Sequence, residues 1–161
     1  MDMQKLVDAM NKQGCEERGN YHATFGDLID KLKSADESAR ISPKVVGIGA
    51  YRGYYSDSDI ALCTEDGNCA YKEELDYNSP TNDWNKWREE NEIKIKFVKN
   101  PKKLAKILES LLGTYFDGYK GGYNQITRDK PLWLATDYGN CSNIAVVSIT
   151  DDLKLITKEI V

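Results

Sequence analysis

Two stretches of the chain place apolar residues at the spacing of an amphipathic helix. In the first, TFGDLIDKLK, apolar side chains recur at i, i+3, i+4 and i+7 from Phe25, which is the pattern of one buried helix face. Thr24 and Asp27 have the spacing of a capping box, with Asp in place of the usual Glu or Gln. The pattern predicts a helix that begins at Thr24 and ends near Ser34.

The second helical stretch is bracketed by residues that favour helix ends. Asn100 is a good N-cap, Pro101 suits the first turn, and Gly113 suits the left-handed stop. Between them the apolar stripe consists of Leu104, Ile107, Leu108, Leu111 and Leu112.

The remaining apolar segments have the character of strands. β-branched residues dominate KVVGIGAY (44–51), and EIKIKFV alternates apolar Ile93, Ile95 and Phe97 with lysines. Asp66-Gly67 predicts a tight turn between DIALC and CAYKE, PLWLATDYG is extended, and NIAVVSIT with LKLITKEIV predicts a terminal hairpin. The chain is therefore expected to be one α+β domain over 1–161, an antiparallel β-sheet with two main α-helices packed on one face.

Two segments differ from this pattern. Residues 1–20 predict a partly mobile N-terminal helix and linker. Residues 73–92 are rich in acids and predict an insertion in which one helical turn places Trp84 and Trp87 against the body.

Charge and composition narrow the functions to consider. The net charge of −4 disfavours a nucleic-acid polymer as partner, because such binding rests on neutralising phosphates. No apolar run reaches the roughly 18 residues of a membrane span, and the first residues lack a signal peptide, so no membrane association and a cytoplasmic location are expected. The four cysteines lack CxxC spacing and His22 is the one histidine, so reduced cysteines, no metal, no cofactor and no enzymatic activity are expected.

Two short segments combine tyrosine, glycine and a cation: YRGYY at 51–55 and YKGGY at 119–123. Tyrosine rings can stack on a nucleobase, Arg52 can grip phosphate oxygens at two points, and Lys120 adds a point charge. Glycines let backbone N–H groups approach a ligand. These segments predict a pocket for a flat anionic ligand, although the same residues also suit a strand edge where tyrosines simply pack.

The order of these segments resembles a group of small phage proteins with the pattern SYRGYY, GYKGG and TPLW followed by YG. The matching runs here are YRGYYSDSDIAL, LLGTYFDGYKGGY and PLWLATDYGNCSNIAVVSI, which span roughly residues 24–150. The chain departs from the pattern at Ala50, where Ser is expected, and at Lys130, where Thr is expected. These departures put the identity of the ligand in doubt more than the fold.

The resemblance implies an immune-evasion sponge that sequesters a cyclic dinucleotide such as 3′,3′-cGAMP and so blocks the CBASS anti-phage defence. It implies binding without cleavage, a homo-oligomer (dimer or tetramer), and a location in the cytoplasm of the infected bacterium. The ligand-binding residues that it implies, together with those of the tyrosine segments, are Tyr51, Arg52, Gly53, Tyr54, Tyr119, Lys120, Gly121, Gly122, Trp133 and Tyr138.

Other functions remain open at the level of sequence. A related sponge class binds the cyclic ADP-ribose signals of Thoeris defence. Trp84 and Trp87 would suit a host-protein interaction module if they were exposed. A row of lysines between Lys94 and Lys106 would suit nucleic acid, but a solvated helix or strand face is the simpler interpretation.

Overall fold

The computed structural model describes residues 22–51, 59–65, 83–117, 123–135 and 144–159. Within these ranges the helices are α1 (Phe25–Ser34), α2 (Asp83–Phe97) and α3 (Pro101–Glu109). The strands are β1 (Val45–Tyr51), β2 (Asp59–Thr64), β3 (Tyr115–Asp117), β4 (Tyr123–Gln125), β5 (Leu132–Ala135), β6 (Ile144–Ile149) and β7 (Leu155–Glu159). The predicted α+β fold is confirmed. The predictions for residues 1–20, for CAYKE and for the turn at Asp66-Gly67 lie outside the described residues.

Both predicted helices form, and their ends are stabilised as the sequence indicates. Thr24 and Asp27 make the reciprocal capping box, with the Thr24 N–H donating to the Asp27 carboxylate at 2.9 Å. The Asn100 side chain accepts hydrogen bonds from two backbone N–H groups of the first turn of α3. Gly113 adopts φ 85°, which is the left-handed conformation expected beyond the end of this helix.

The main sheet has five strands in the order β1-β2-β5-β6-β7, and β3 and β4 form a separate antiparallel pair. The prediction of a wholly antiparallel sheet is wrong for one pair of strands. β2 pairs with β5 in parallel, with Ile60 opposite Leu132. Two parallel neighbours need a long crossover connection. Here the crossover is the chain between the two strands, which includes α2, α3 and the β3–β4 pair.

Side chains on neighbouring positions of the central strands alternate between the two faces of the sheet. Ile60, Leu132 and Val146 belong to the main core together with the apolar faces of α1 and α3, which pack against each other. The intervening positions form a second, smaller cluster on the opposite face, consisting of Ala61, Cys63, Trp133, Ala145 and Val147. The two predicted helices therefore cover one face of the sheet, as expected.

The prediction of a strand in EIKIKFV is wrong, because Ile93, Ile95 and Phe97 lie on the last two turns of α2. Ile95 is 1% exposed, whereas Ile93 and Phe97 are 71% and 69% exposed, so the alternating residues do not share a buried face. The buried face of α2 instead follows a helical period that includes the polar residues Arg88 and Glu92. Because two of the residues on this buried face are charged, the helical period of α2 is not visible when only apolar residues are counted.

Part of the predicted acidic insertion is thus an integral helix. α2 packs against the edge strand β1, and the Arg88–Glu92 pair lies beside Gly47, where an added Cβ would come within 3.5 Å of Glu92 Oε1. Trp87 is 6% exposed, and its indole N–H donates to Ser110 Oγ at 2.8 Å. The predicted contact of Trp87 with the body of the domain is confirmed, in a helix much longer than one turn.

Candidate functional site

The first tyrosine segment begins at the last residue of β1. Tyr51 pairs with Asp59, the first residue of β2, so the chain between them connects two antiparallel neighbours. Arg52, Gly53 and Tyr54 lie outside the described residues, and their role stays a prediction.

The second tyrosine segment falls between β3 and β4. These strands pair from Tyr115 opposite Gln125 to Asp117 opposite Tyr123. Residues 118–122 therefore connect the end of β3 to the start of β4. Tyr119, Lys120, Gly121 and Gly122 lie outside the described residues. The two tyrosine segments therefore share one structural position, which is the connection between two antiparallel strands.

Trp133 belongs to the third matching segment, PLWLATDYG, and is the predicted binding residue whose backbone and side chain are both described by the structure. It lies in the middle of β5 on the face opposite the helices and is 2% exposed. Its ring lies 4.5 Å from the imidazole of His22, centroid to centroid, with an interplanar angle of 53°. As described, Trp133 is a packing residue, and direct contact with a ligand stays a prediction. Tyr138 lies outside the described residues.

His22 is the neighbour that sequence reasoning did not connect with Trp133. The two residues are 111 positions apart, and no local pattern signals their contact. His22 Nδ1 donates to the Leu132 carbonyl at 2.9 Å, which orients the ring. Burial lowers the His22 pKa below its ordinary 6.5, against a smaller opposite effect of the Leu132 hydrogen bond. The neutral imidazole is the form that the folded protein favours.

The parallel pairing of β2 with β5 brings the segments YRGYY and PLWLATDYG to the same end of the strands, at one border of the sheet. The pairs Tyr51–Asp59 and Ile60–Leu132 place the end of β1, the start of β2 and the start of β5 side by side. With strands about 4.8 Å apart and a rise of about 3.3 Å per residue, the Tyr51 and Trp133 backbones are roughly 12 Å apart. We call this region, from Tyr51 through Asp59 to Leu132, the β1–β2–β5 edge.

The features that suggested other partners have structural explanations. Trp87 is buried and hydrogen-bonded, so it is not an exposed anchor for a host protein. The side chain of Trp84 lies outside what the structure describes. The lysines proposed as a nucleic-acid contact are all exposed on α2, α3 and the turn between them, which agrees with a solvated face: Lys94, Lys96, Lys99, Lys102, Lys103 and Lys106.

Cys63 departs from the expectation of four reduced cysteines. It lies in the smaller apolar cluster, is 1% exposed and is disulfide-bonded. The other three cysteines, and with them its partner, lie outside the described residues. Structural disulfides are rare in a reducing cytoplasm, so this bond weighs against a simple cytoplasmic assignment.

Within the described ranges, no cluster of three or more His, Cys, Asp or Glu residues has the arrangement of a metal site. None of the three helices combines the length and apolar character that crossing a bilayer requires, among the residues that the structure covers. No family model, curated protein or solved structure matches the chain.

Proposed function

We propose that this protein is a sponge for a small cyclic oligonucleotide, which it binds without cleaving. In this proposal the ligand is a cyclic dinucleotide of the 3′,3′-cGAMP kind, and its removal blocks CBASS defence in an infected bacterium. The binding residues are those of the two tyrosine segments and the β5 segment, in a homo-oligomer.

The observation that carries the proposal is the β1–β2–β5 edge. It supports a shared site because Tyr51 and the start of β5, which belong to two separate segments of the sequence pattern, lie side by side across β2. The second tyrosine segment is the connection of β3 to β4, and only five residues lie between Gln125, the last residue of β4, and Pro131. An antiparallel pairing of β2 with β5 would have placed the start of β5 at the far end of β2.

A binder without turnover suits an alarm signal that is made in small amounts. Sequestration lowers the free signal by mass action when the dissociation constant lies below the concentration that activates the effector. A cyclic dinucleotide is doubly charged and nearly two-fold symmetric, which suits a site shared between subunits of a symmetric oligomer. A light-scattering mass equal to the monomer would contradict the oligomer.

The test uses a panel of cyclic dinucleotides, cyclic trinucleotides and cyclic ADP-ribose isomers. The protein is incubated with each compound, washed and heat-denatured, and the released compound is analysed by chromatography. Release of an intact cyclic oligonucleotide is expected. Release of intact cyclic ADP-ribose would transfer the protein to the Thoeris class, a chemically altered compound would indicate an enzyme, and no retention would refute the sponge.

Single substitutions localise the site. Arg52→Ala and Tyr119→Ala are each expected to weaken binding about fivefold, because each removes one charged or stacking contact. Lys86→Ala, which removes an exposed cation on α2, is the matched control and should leave affinity unchanged. Unchanged affinity in both site variants would remove those residues from the site.

A further inference from the structure

A cavity of about 420 Å³ lies apart from the β1–β2–β5 edge and shares no residue with it. Its walls come from α1, the loop before β1 together with the first residue of β1, the α2–α3 junction, α3 and the β6–β7 turn. A pocket that binds a small molecule typically has a volume of about 300 to 1,000 Å³. The cavity therefore has the size of a small-ligand site.

The body of the cavity is aliphatic. Eight of its eleven lining residues are apolar, and none is aromatic. Leu32, Val45, Leu104 and Leu153 belong to the main core, while Ala39, Ile41 and Val98 are half-buried beside it. The lining contains no Ser, Thr, Asn or Gln side chain. A sugar or nucleobase packed against this aliphatic body would lose hydrogen bonds to water without replacement, which disfavours a nucleotide.

One wall residue is held in a conformation that costs energy. Leu153 has φ 69°, in the left-handed region that bulky residues rarely adopt, yet its side chain is fully buried. The turn around it is fixed by backbone bonds in which the Leu153 N–H donates to the Thr150 carbonyl and its own carbonyl accepts from Ser42. Backbone hydrogen bonds on both sides of Leu153 therefore hold this part of the wall in place.

The charges that line the cavity are all positive. The three remaining lining residues are Arg40, Lys44 and Lys99, each on an exposed position, and no acidic residue lines the cavity. Among the described residues, neither Lys44 nor Lys99 forms an ion pair. Arg40 Nη1 donates to the backbone carbonyls of Glu37 and Ala39, which holds the guanidinium near the loop. In a protein of net charge −4, three cations without a lining acid favour an anion.

We infer that this cavity binds a small amphipathic anion with an aliphatic chain and a carboxylate head, such as a medium-chain fatty acid. The chain packs against the aliphatic body and the carboxylate contacts Lys44, Lys99 and Arg40. At roughly 30 Å³ for each water-sized group, the cavity holds about fourteen such groups, which leaves room for the twelve non-hydrogen atoms of a ten-carbon carboxylate. This inference goes beyond the proposed function and does not depend on it.

The test is calorimetric titration of the full chain with decanoate, decanol and decyltrimethylammonium. Saturable one-to-one binding of decanoate is expected, with the neutral and cationic analogues at least about tenfold weaker because they lack the charge-assisted contacts. Lys44→Gln and Lys99→Gln are each expected to weaken decanoate binding about fivefold. Lys158→Gln on β7, which removes the same charge from an exposed position outside the cavity lining, should have no effect.

A blocking variant separates this site from the nucleotide site. Ala39→Phe adds a large side chain at a half-buried position of the lining and should abolish decanoate binding while leaving cyclic oligonucleotide binding and the unfolding midpoint unchanged. If Ala39→Phe alters folding, the two lysine variants decide. Equal binding of decanoate and decyltrimethylammonium would overturn the inference, as would binding to anionic phospholipid vesicles without binding of free decanoate.

Discussion

The buried ion pair between Arg88 and Glu92 makes a sharp prediction about stability. The two residues face β1 one helical turn apart on α2, and their side chains are 5% and 20% exposed. Arg88 Nε donates to Glu92 Oε1 at 2.8 Å, and Nη2 lies 2.7 Å from the same oxygen without the geometry of a hydrogen bond. Glu92→Gln keeps the size of the side chain but removes the charge that compensates Arg88.

The magnitude follows from the burial of the cation. Removing one partner of a buried pair costs about 3 to 5 kcal/mol, because the other charge stays desolvated and uncompensated. Glu92 retains a fifth of its exposure, so water can reach part of the site and the lower end of this range applies. We expect Glu92→Gln to lower the free energy of unfolding by about 3 kcal/mol.

The assay is urea unfolding monitored by circular dichroism. The m-value, which is the dependence of the unfolding free energy on urea concentration, is compared between variants to check that the unfolding transition is the same. The double variant Arg88→Met/Glu92→Gln removes both charges and should recover much of the loss. Asp151→Asn is the matched control, because it breaks the exposed pair with Lys31 and should leave the midpoint unchanged. A loss below about 1 kcal/mol for Glu92→Gln, the range of exposed pairs, would refute the argument.

Three further predictions concern single residues. Asn100→Ala should lower the unfolding free energy by about 1 kcal/mol through loss of the α3 cap, whereas Asn100→Asp, which still caps, should retain it in the same urea assay. The lowered His22 pKa means that the unfolded chain binds this proton more readily, so stability should fall as the pH drops below about 6.5; His22→Gln should flatten that part of a stability profile, and an unchanged slope would contradict the assignment. Cys63 should react with iodoacetamide only after both reduction and unfolding, because it is bonded and buried; modification of the folded, unreduced protein, found by peptide mass spectrometry, would be inconsistent with the structure.

Local signals predicted the elements whose causes are local. In each of the helices α1 and α3, the capping residue and the apolar stripe lie close together in the sequence, and both helices form where the pattern indicates. The strand prediction for residues 93–97 failed because alternation over so few residues also fits part of a helix. What made this segment helical is the burial of Trp87, Arg88 and Ile95 against β1 and the core, which needs partners far along the chain.

The candidate site shows the same division. The sequence pattern identified Tyr51 and Trp133 as members of separate segments, but their proximity depends on the pairing of β2 with β5. The burial of Trp133 against His22 was not predictable, because the contact joins distant positions. The cavity beside Lys44 and Lys99 was likewise invisible, since its walls come from five separate parts of the chain.

The sequence by itself determined where helices start and stop and which residue types carry charge or aromatic faces, because capping and periodicity act between near neighbours. Only the tertiary structure decided which strands are adjacent, in which direction β5 runs, and which side chains are buried. Strand order and direction are set by long crossover connections and by the burial of a shared core. Neither produces a recognisable pattern within a short stretch of sequence.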